Sequence, residues 1–187
     1  MALESFCDGL ITAGVARDCA SVNASVGVDK DLILVNYEDF DRTLTYAGTP
    51  VAGVFPQIEL KASTVQHIFE GTDYSVIPNI TSEVKEDGDS WFIHSIAFTV
   101  YSKAALDRNV LEDLAGSRVV AIAIERSTGL YEVFGADQGL KLTGLERAYT
   151  GSQSSNFYTV TIATPDIAVI RESSIGILAT AINTATP

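Results

Sequence analysis

The side chains most apt for metal or nucleophilic chemistry are few in this chain: two histidines, His67 and His94, and two cysteines, Cys7 and Cys19. A metal centre needs such ligands clustered with one another or with carboxylates. The histidines fall on different predicted strands, and neither lies near a cysteine in sequence. His94 shares an alternating face with Phe92 and Ile96, which reads as a hydrogen-bonded core histidine. The cysteines lack a CxxC spacing and are too few for a disulfide framework, so they read as free thiols of a reducing compartment. A Cys–His nucleophile pair would require the fold to join distant residues.

Phosphate and acyl chemistry fare no better. Gly135-Ala136-Asp137-Gln138-Gly139 lacks the lysine of a P-loop and the spacing of a dinucleotide fingerprint, and reads as a hairpin connection. Thr150-Gly151-Ser152 is a polar loop rather than a nucleophile elbow. The carboxylate pairs Glu38/Asp39 and Glu86/Asp87 sit in predicted exposed turns, where desolvation would not raise a pKa. No catalytic residue, metal site or cofactor is expected, and the chain does not read as an enzyme.

Composition bounds the rest. The 187 residues are 47% apolar and 19% charged, which suits one folded domain and argues against disorder. With 24 acids against 12 bases, tight nucleic-acid binding is disfavoured, because it depends on Lys and Arg displacing counterions. The acids are uneven: residues 1–90 hold 15 acids and 5 bases, residues 91–187 hold 9 and 7. That asymmetry implies either a surface carrying a field or simply solvated loops. Residues 1–14 show no basic leader, and Glu4, Asp8 and Gly9 break their apolar run, so no secretory signal is expected. No run reaches the roughly 18 apolar residues of a membrane span. The sequons at Asn23 and Asn79 carry little weight without secretion, and a cytoplasm is the expected place of synthesis.

The elements that would position these residues are mostly strands. Leu3, Phe6, Cys7, Leu10 and Ile11 have the spacing of a short N-terminal helix. Leu32–Val35, apolar on both faces, predicts a central strand, followed by an acidic turn at residues 37–41. Strands are expected over 43–47, 54–61, 65–70 and 75–84, with Pro56 and Pro78 marking edges or bulges. Asp87-Gly88 predicts a hairpin turn leading into the long strand 91–101. Ser102 then caps a helix with the stripe Leu106, Val110, Leu111 and Leu114, ending through a left-handed Gly116 and leaving Asp107, Arg108, Glu112 and Asp113 in water. In strand 119–125, Val120, Ile122 and Ile124 face one way and Val119, Ala121 and Ala123 the other. Strands follow at 130–134, 140–149 and 157–164, the last with Tyr158, Val160 and Ile162 inward. The expected fold is mainly β, an antiparallel β-sandwich or barrel with one flanking helix at about 103–115 and extended termini. It divides into an arm (1–30), a β core (31–166) and a C-terminal stretch (167–187). That stretch, with Ile167, Val169, Ile170, Ile175, Ile177, Leu178 and Ile182, either folds back as a last strand or packs as an arm on a neighbouring copy.

Two patches carry a family resemblance. Asp18-Cys19 with Val26-Gly27-Val28-Asp29-Lys30-Asp31-Leu32-Ile33-Leu34-Val35-Asn36-Tyr37-Glu38-Asp39 resembles the opening of tail tube (major tail) proteins from phages of Bacteroidetes-type hosts. Gly116-Ser117-Arg118-Val119-Val120-Ala121-Ile122 and Tyr131-Glu132-Val133-Phe134-Gly135-Ala136-Asp137-Gln138-Gly139-Leu140 are similar to the same group. The sequence departs from it at Ala24-Ser25-Val26-Gly27, where paired glycines are expected.

The resemblance implies a virion structural protein, made in the host bacterial cytoplasm, whose copies form rings, expected to be hexameric. The rings stack into a tube with a bore lined by β-hairpins, contact other tail proteins, and pass genomic DNA without gripping it. No cofactor or active site belongs to that role. The acids Glu38, Asp39, Asp41, Glu83, Glu86, Asp87 and Asp89 are then expected near the bore or a ring-to-ring seam, and residues 167–187 against a neighbouring subunit. The alternatives are another virion component (a tail terminator, head–tail connector or capsid decoration protein) or a monomeric β-sandwich binding module.

Overall fold

The computed structural model describes residues 27–84, 90–101, 105–147, 157–165, 172 and 174–184. The predicted N-terminal helix, Cys7, Cys19, Ser102, the 85–89 turn with Glu86, Asp87 and Asp89, and Ile167, Val169 and Ile170 all lie outside the described residues.

Among the described residues, twelve strands fall into three sheets. Strands β1 (Val28–Asn36), β2 (Val54–Phe55), β4 (His67–Glu70), β7 (Val119–Glu125), β8 (Tyr131–Phe134) and β11 (Ile177–Ala179) make a six-stranded sheet in the order β2-β11-β8-β7-β1-β4. Strands β5 (Val76–Val84), β6 (Ser90–Val100), β9 (Lys141–Glu146) and β10 (Tyr158–Ala163) make a four-stranded antiparallel sheet in the order β5-β6-β10-β9. Strands β3 (Ile58–Leu60) and β12 (Ile182–Thr184) pair in parallel. The chain is thus mainly β and sandwich-like, with a flanking helix α2 (Ala105–Gly116).

Two cores sit on opposite faces of the six-stranded sheet. Leu32 and Leu34 meet Ile96, Phe98, Val160 and Ile162 of the four-stranded sheet, with Leu111 and Leu114 of α2 beside them. On the reverse face Ile33, Val35, Val120, Ile122 and Val133 meet Phe40, Ile58 and Leu60. A strand buried on both faces must be apolar at every position, which is why Leu32–Val35 reads without alternation. Each such side chain contributes about 1.5–3 kcal/mol by leaving water. Strand β7 divides as its sequence indicates: Val119, Ala121 and Ala123 enter the first core, Val120 and Ile122 the second.

Several expectations are corrected. Residues 42–47 are not a strand but the helix α1 (Arg42–Ala47): the Asp41 carboxylate accepts from the Leu44 amide at 3.0 Å and caps it. Fully buried Thr45 fastens that turn to β3 by accepting from the Glu59 amide. Pro56 divides the predicted 54–61 strand into β2 and β3, whereas β5 runs unbroken through Pro78 because it lies at a sheet edge, where a missing N–H is tolerated. Gly116 ends α2 without a positive φ, and the Ser117 amide closes the turn on the Leu114 carbonyl. Val110 is 45% exposed and lies outside the buried stripe.

Two corrections bear on the site. Residues 135–139 are not a hairpin connection, since β8 and β9 belong to different sheets; they carry the chain across the first core. Gly135 and Gly139 both take φ of 75° there, a left-handed conformation that glycine adopts without strain. The described part of the C-terminal stretch is not a free arm. Ile177 and Ala179 are buried in β11 between β8 and β2, and Ile182 packs on the second core from β12. The physical reason is that β2 and β3 are incomplete edges until these strands pair with them. Leu178 is half-buried, and Ile175 stays 64% exposed.

Candidate functional site

The predicted acids do not form one patch. Glu38 and Asp39 belong to a single 3-10 turn after β1 and line a polar cleft of about 740 Å³ together with Arg118 and Lys141. Lys61 Nζ also donates to the Glu38 carbonyl, and Asp39 accepts from Asn36, so bases balance this turn. Asp41 is occupied as the α1 cap. Glu83 lies elsewhere, near the end of β5, where its carboxylate accepts from Trp91 Nε1 at 2.9 Å.

Glu83 belongs to the outer face of the four-stranded sheet. Strand alternation puts Phe92, His94, Ile96 and Phe98 of β6 inward and Trp91, Ile93, Ser95, Ala97 and Thr99 outward. In register with them, β5 contributes Ile77, Asn79 and Thr81, and β10 contributes Thr159, Thr161 and Ala163. These residues are uncharged and, apart from buried Trp91, exposed or half-buried; all but Trp91, Ile93 and Ile77 are small. The charged residues are peripheral: Glu83 on β5, and Lys141 and Glu146 at the two ends of β9.

A second cluster, not foreseen from sequence, is polar and buried. Glu172 is fully buried, and its carboxylate accepts from the Asp137 amide at 3.1 Å and the Gln138 amide at 2.9 Å. The left-handed residues Gly135 and Gly139 bracket these two amides, aligning the turn on the carboxylate. The Asp137 side chain accepts from Arg42 Nε at 2.7 Å, and its carbonyl accepts from the Tyr37 hydroxyl at 2.6 Å. The Phe92 amide donates to the Glu172 carbonyl. His94 is the core histidine its sequence position predicts. Its Nδ1 accepts from the Gly135 amide at 3.1 Å, so Nε2 carries the proton and donates to the Ser174 carbonyl at 2.9 Å.

Burial sets the electrostatics of this cluster. It pushes the Glu172 carboxyl up to about 7, against the opposing pull of the Gln138 and Asp137 amides. It holds His94 below its ordinary value and raises Tyr46 and Tyr37. The hydrogen bond to Asp137 raises Arg42. Glu132 on β8 is also raised, by burial and then by Glu125. Glu172 and His94 are both fully buried, which suits a clamp rather than a centre that meets substrate. Among the described residues no group of three His, Cys, Asp or Glu is placed to hold a metal, and no helix is long and apolar enough to cross a membrane. Comparisons with protein-family models, with curated proteins and with solved structures each return no match for this chain.

Proposed function

We propose that this chain is a structural virion protein whose copies assemble as hexameric rings and stack into a phage tail tube that conducts DNA. The observation that carries the reading is the outer face of the four-stranded sheet, whose described positions on β5, β6 and β10 are Ser, Thr, Asn and Ala together with Ile77, Ile93, Trp91 and the marginal Glu83, with neither Lys nor Arg among them. A conduit must let a polyanion slide, and every cation–phosphate contact would release counterions and add grip. Uncharged side chains with Glu83 at the margin offer little hold, and surplus acid keeps the polyanion centred.

The edges of that sheet also support the reading. Ile77 and Val84 on β5 and Leu145 on β9 are exposed apolar side chains on the two edge strands, where neighbouring copies would cover them. Negative-stain microscopy of the purified chain tests the proposal. Long regular stacks built from this one polypeptide are expected. Single rings that never stack would instead indicate a terminator or connector. A particle near 20.0 kDa at high concentration would indicate a monomeric binding module.

A further inference from the structure

The strands on either side of the buried cluster are held unequally. Strand β10 is paired along its length, to β6 on one side and β9 on the other. Strand β11 pairs with β8 over Ile177–Ala179 and with β2 over Leu178–Ala179, the Thr180 amide donates to the Phe55 carbonyl and the Ile58 amide to the Ala181 carbonyl, and β12 pairs with β3 over Ile182–Thr184. The β2 and β3 pairings are parallel, the slightly weaker ladder per residue. Just upstream of β11 the fastening is polar: the Glu172 carboxylate on the Asp137 and Gln138 amides, the Phe92 amide on the Glu172 carbonyl, and His94 Nε2 on the Ser174 carbonyl.

We infer that β11 and β12 form a flap latched by the Glu172 carboxyl to the 135–139 turn, a unit that opens while the sandwich stays folded and opens more readily as pH rises. Closed, the carboxyl has, among the described residues, two backbone amides in place of water; open, it is hydrated, and the ionised form gains most from that hydration. The groups facing it work in both directions. The Asp137 carboxylate opposes its charge and Arg42 favours it, with the Tyr37 and Tyr46 hydroxyls beside them. His94, on β6, grips the segment through Ser174 and acts oppositely. Its protonation would turn Nδ1 into a donor aimed at the Gly135 amide, so acid loosens that side. With Glu172 ordinarily at 4.5 and pushed to about 7 when closed, its own share of the opening constant gains about tenfold per pH unit across that window, roughly 300-fold in all, and His94 offsets that gain below its ordinary 6.5. The flap does not depend on whether the chain polymerises.

Hydrogen exchange followed by mass spectrometry, on the wild-type chain and on Glu172→Gln from pH 5 to pH 8, tests this. After correction for intrinsic exchange, residues 177–184 should show at least tenfold less protection than residues 158–163 at every pH. The ratio of flap opening in wild type to that in Glu172→Gln should climb about tenfold per unit between pH 5 and 7, then level off; His94 cancels in that ratio. A ratio that stays constant with pH overturns the latch. Equal protection of the two segments at every pH overturns the flap. Should Glu172→Gln fail to fold, the wild-type series decides alone. Flap protection that stays below that of β10 and falls between pH 6.5 and 7 supports the inference, and coincidence with β10 removes it.

Discussion

Two glutamates approach neighbouring residues of β6 and meet opposite fates. Glu83 sits on the outer face of the four-stranded sheet, exposed, its carboxylate on the Trp91 indole. Glu172 meets Phe92 through backbone and sends its carboxylate into the interior, onto two amides. The same functional group is a surface charge in one place and a structural fastening in the other. What differs is water: an exposed carboxylate keeps its hydration whatever its neighbours do, whereas a buried one ties its charge to its partners.

The largest break in that comparison is Glu172→Ala, which orphans the Asp137 and Gln138 amides. At about 1–3 kcal/mol for each buried donor, a loss of at least about 2 kcal/mol is expected, read as a lower urea midpoint. Gly135→Ala should cost about 2 kcal/mol in the same assay, because φ there is 75° and an added Cβ would lie 2.7 Å from Leu140 Cγ.

The pH dependence sharpens the contrast. Glu172 titrates higher folded than unfolded, so the folded state holds more protons between 4.5 and about 7. Its contribution is intact below that window and falls by about 3 kcal/mol as pH rises through it. His94, held low by burial, contributes fully above its ordinary 6.5 and loses that contribution as pH falls. The two slopes oppose each other in weak acid. Glu172→Gln should remove the glutamate's falling slope, so that stability changes more positively with pH over 4.5–6.5 than in the wild type, measured by urea titrations in series.

Smaller effects complete the set. Asp41→Ala should cost about 1 kcal/mol through loss of the α1 cap. Glu83→Gln should cost under about 1 kcal/mol, since only a part-exposed bond to Trp91 is altered. A Glu83→Gln loss as large as that of Glu172→Ala would erase the distinction between the two glutamates.

Much of the sandwich is legible locally. The two-sided apolar run of β1, the split faces of β7, the inward set of β10 and the core position of His94 all follow from alternation, which is a nearest-neighbour property. The misreadings arise where a distant partner decides. Residues 43–47 read locally as a short strand, yet the Asp41 cap and the Thr45–Glu59 bond wind that stretch into a helix. The 135–139 turn looked like a hairpin because its glycines fit one, but its amides serve Glu172, far along the chain. A signal for Glu172 did exist: an acid set between Ile167–Ile170 and Ile175–Leu178 is an odd guest in an apolar stretch. The acidic surplus, by contrast, said nothing of where Arg118, Lys141 and Lys61 would stand beside Glu38 and Asp39.

The parallel pairings have a consequence for the order of synthesis. Thr180 meets Pro56 across 124 residues, so β2 and β3 leave the ribosome well before β11 and β12 exist to cover them. At about 5–20 residues per second that interval lasts about 6–25 s. Through it, two nascent strands wait with bare rims in a crowded cell, and chaperone capture or mispairing competes with the native closure.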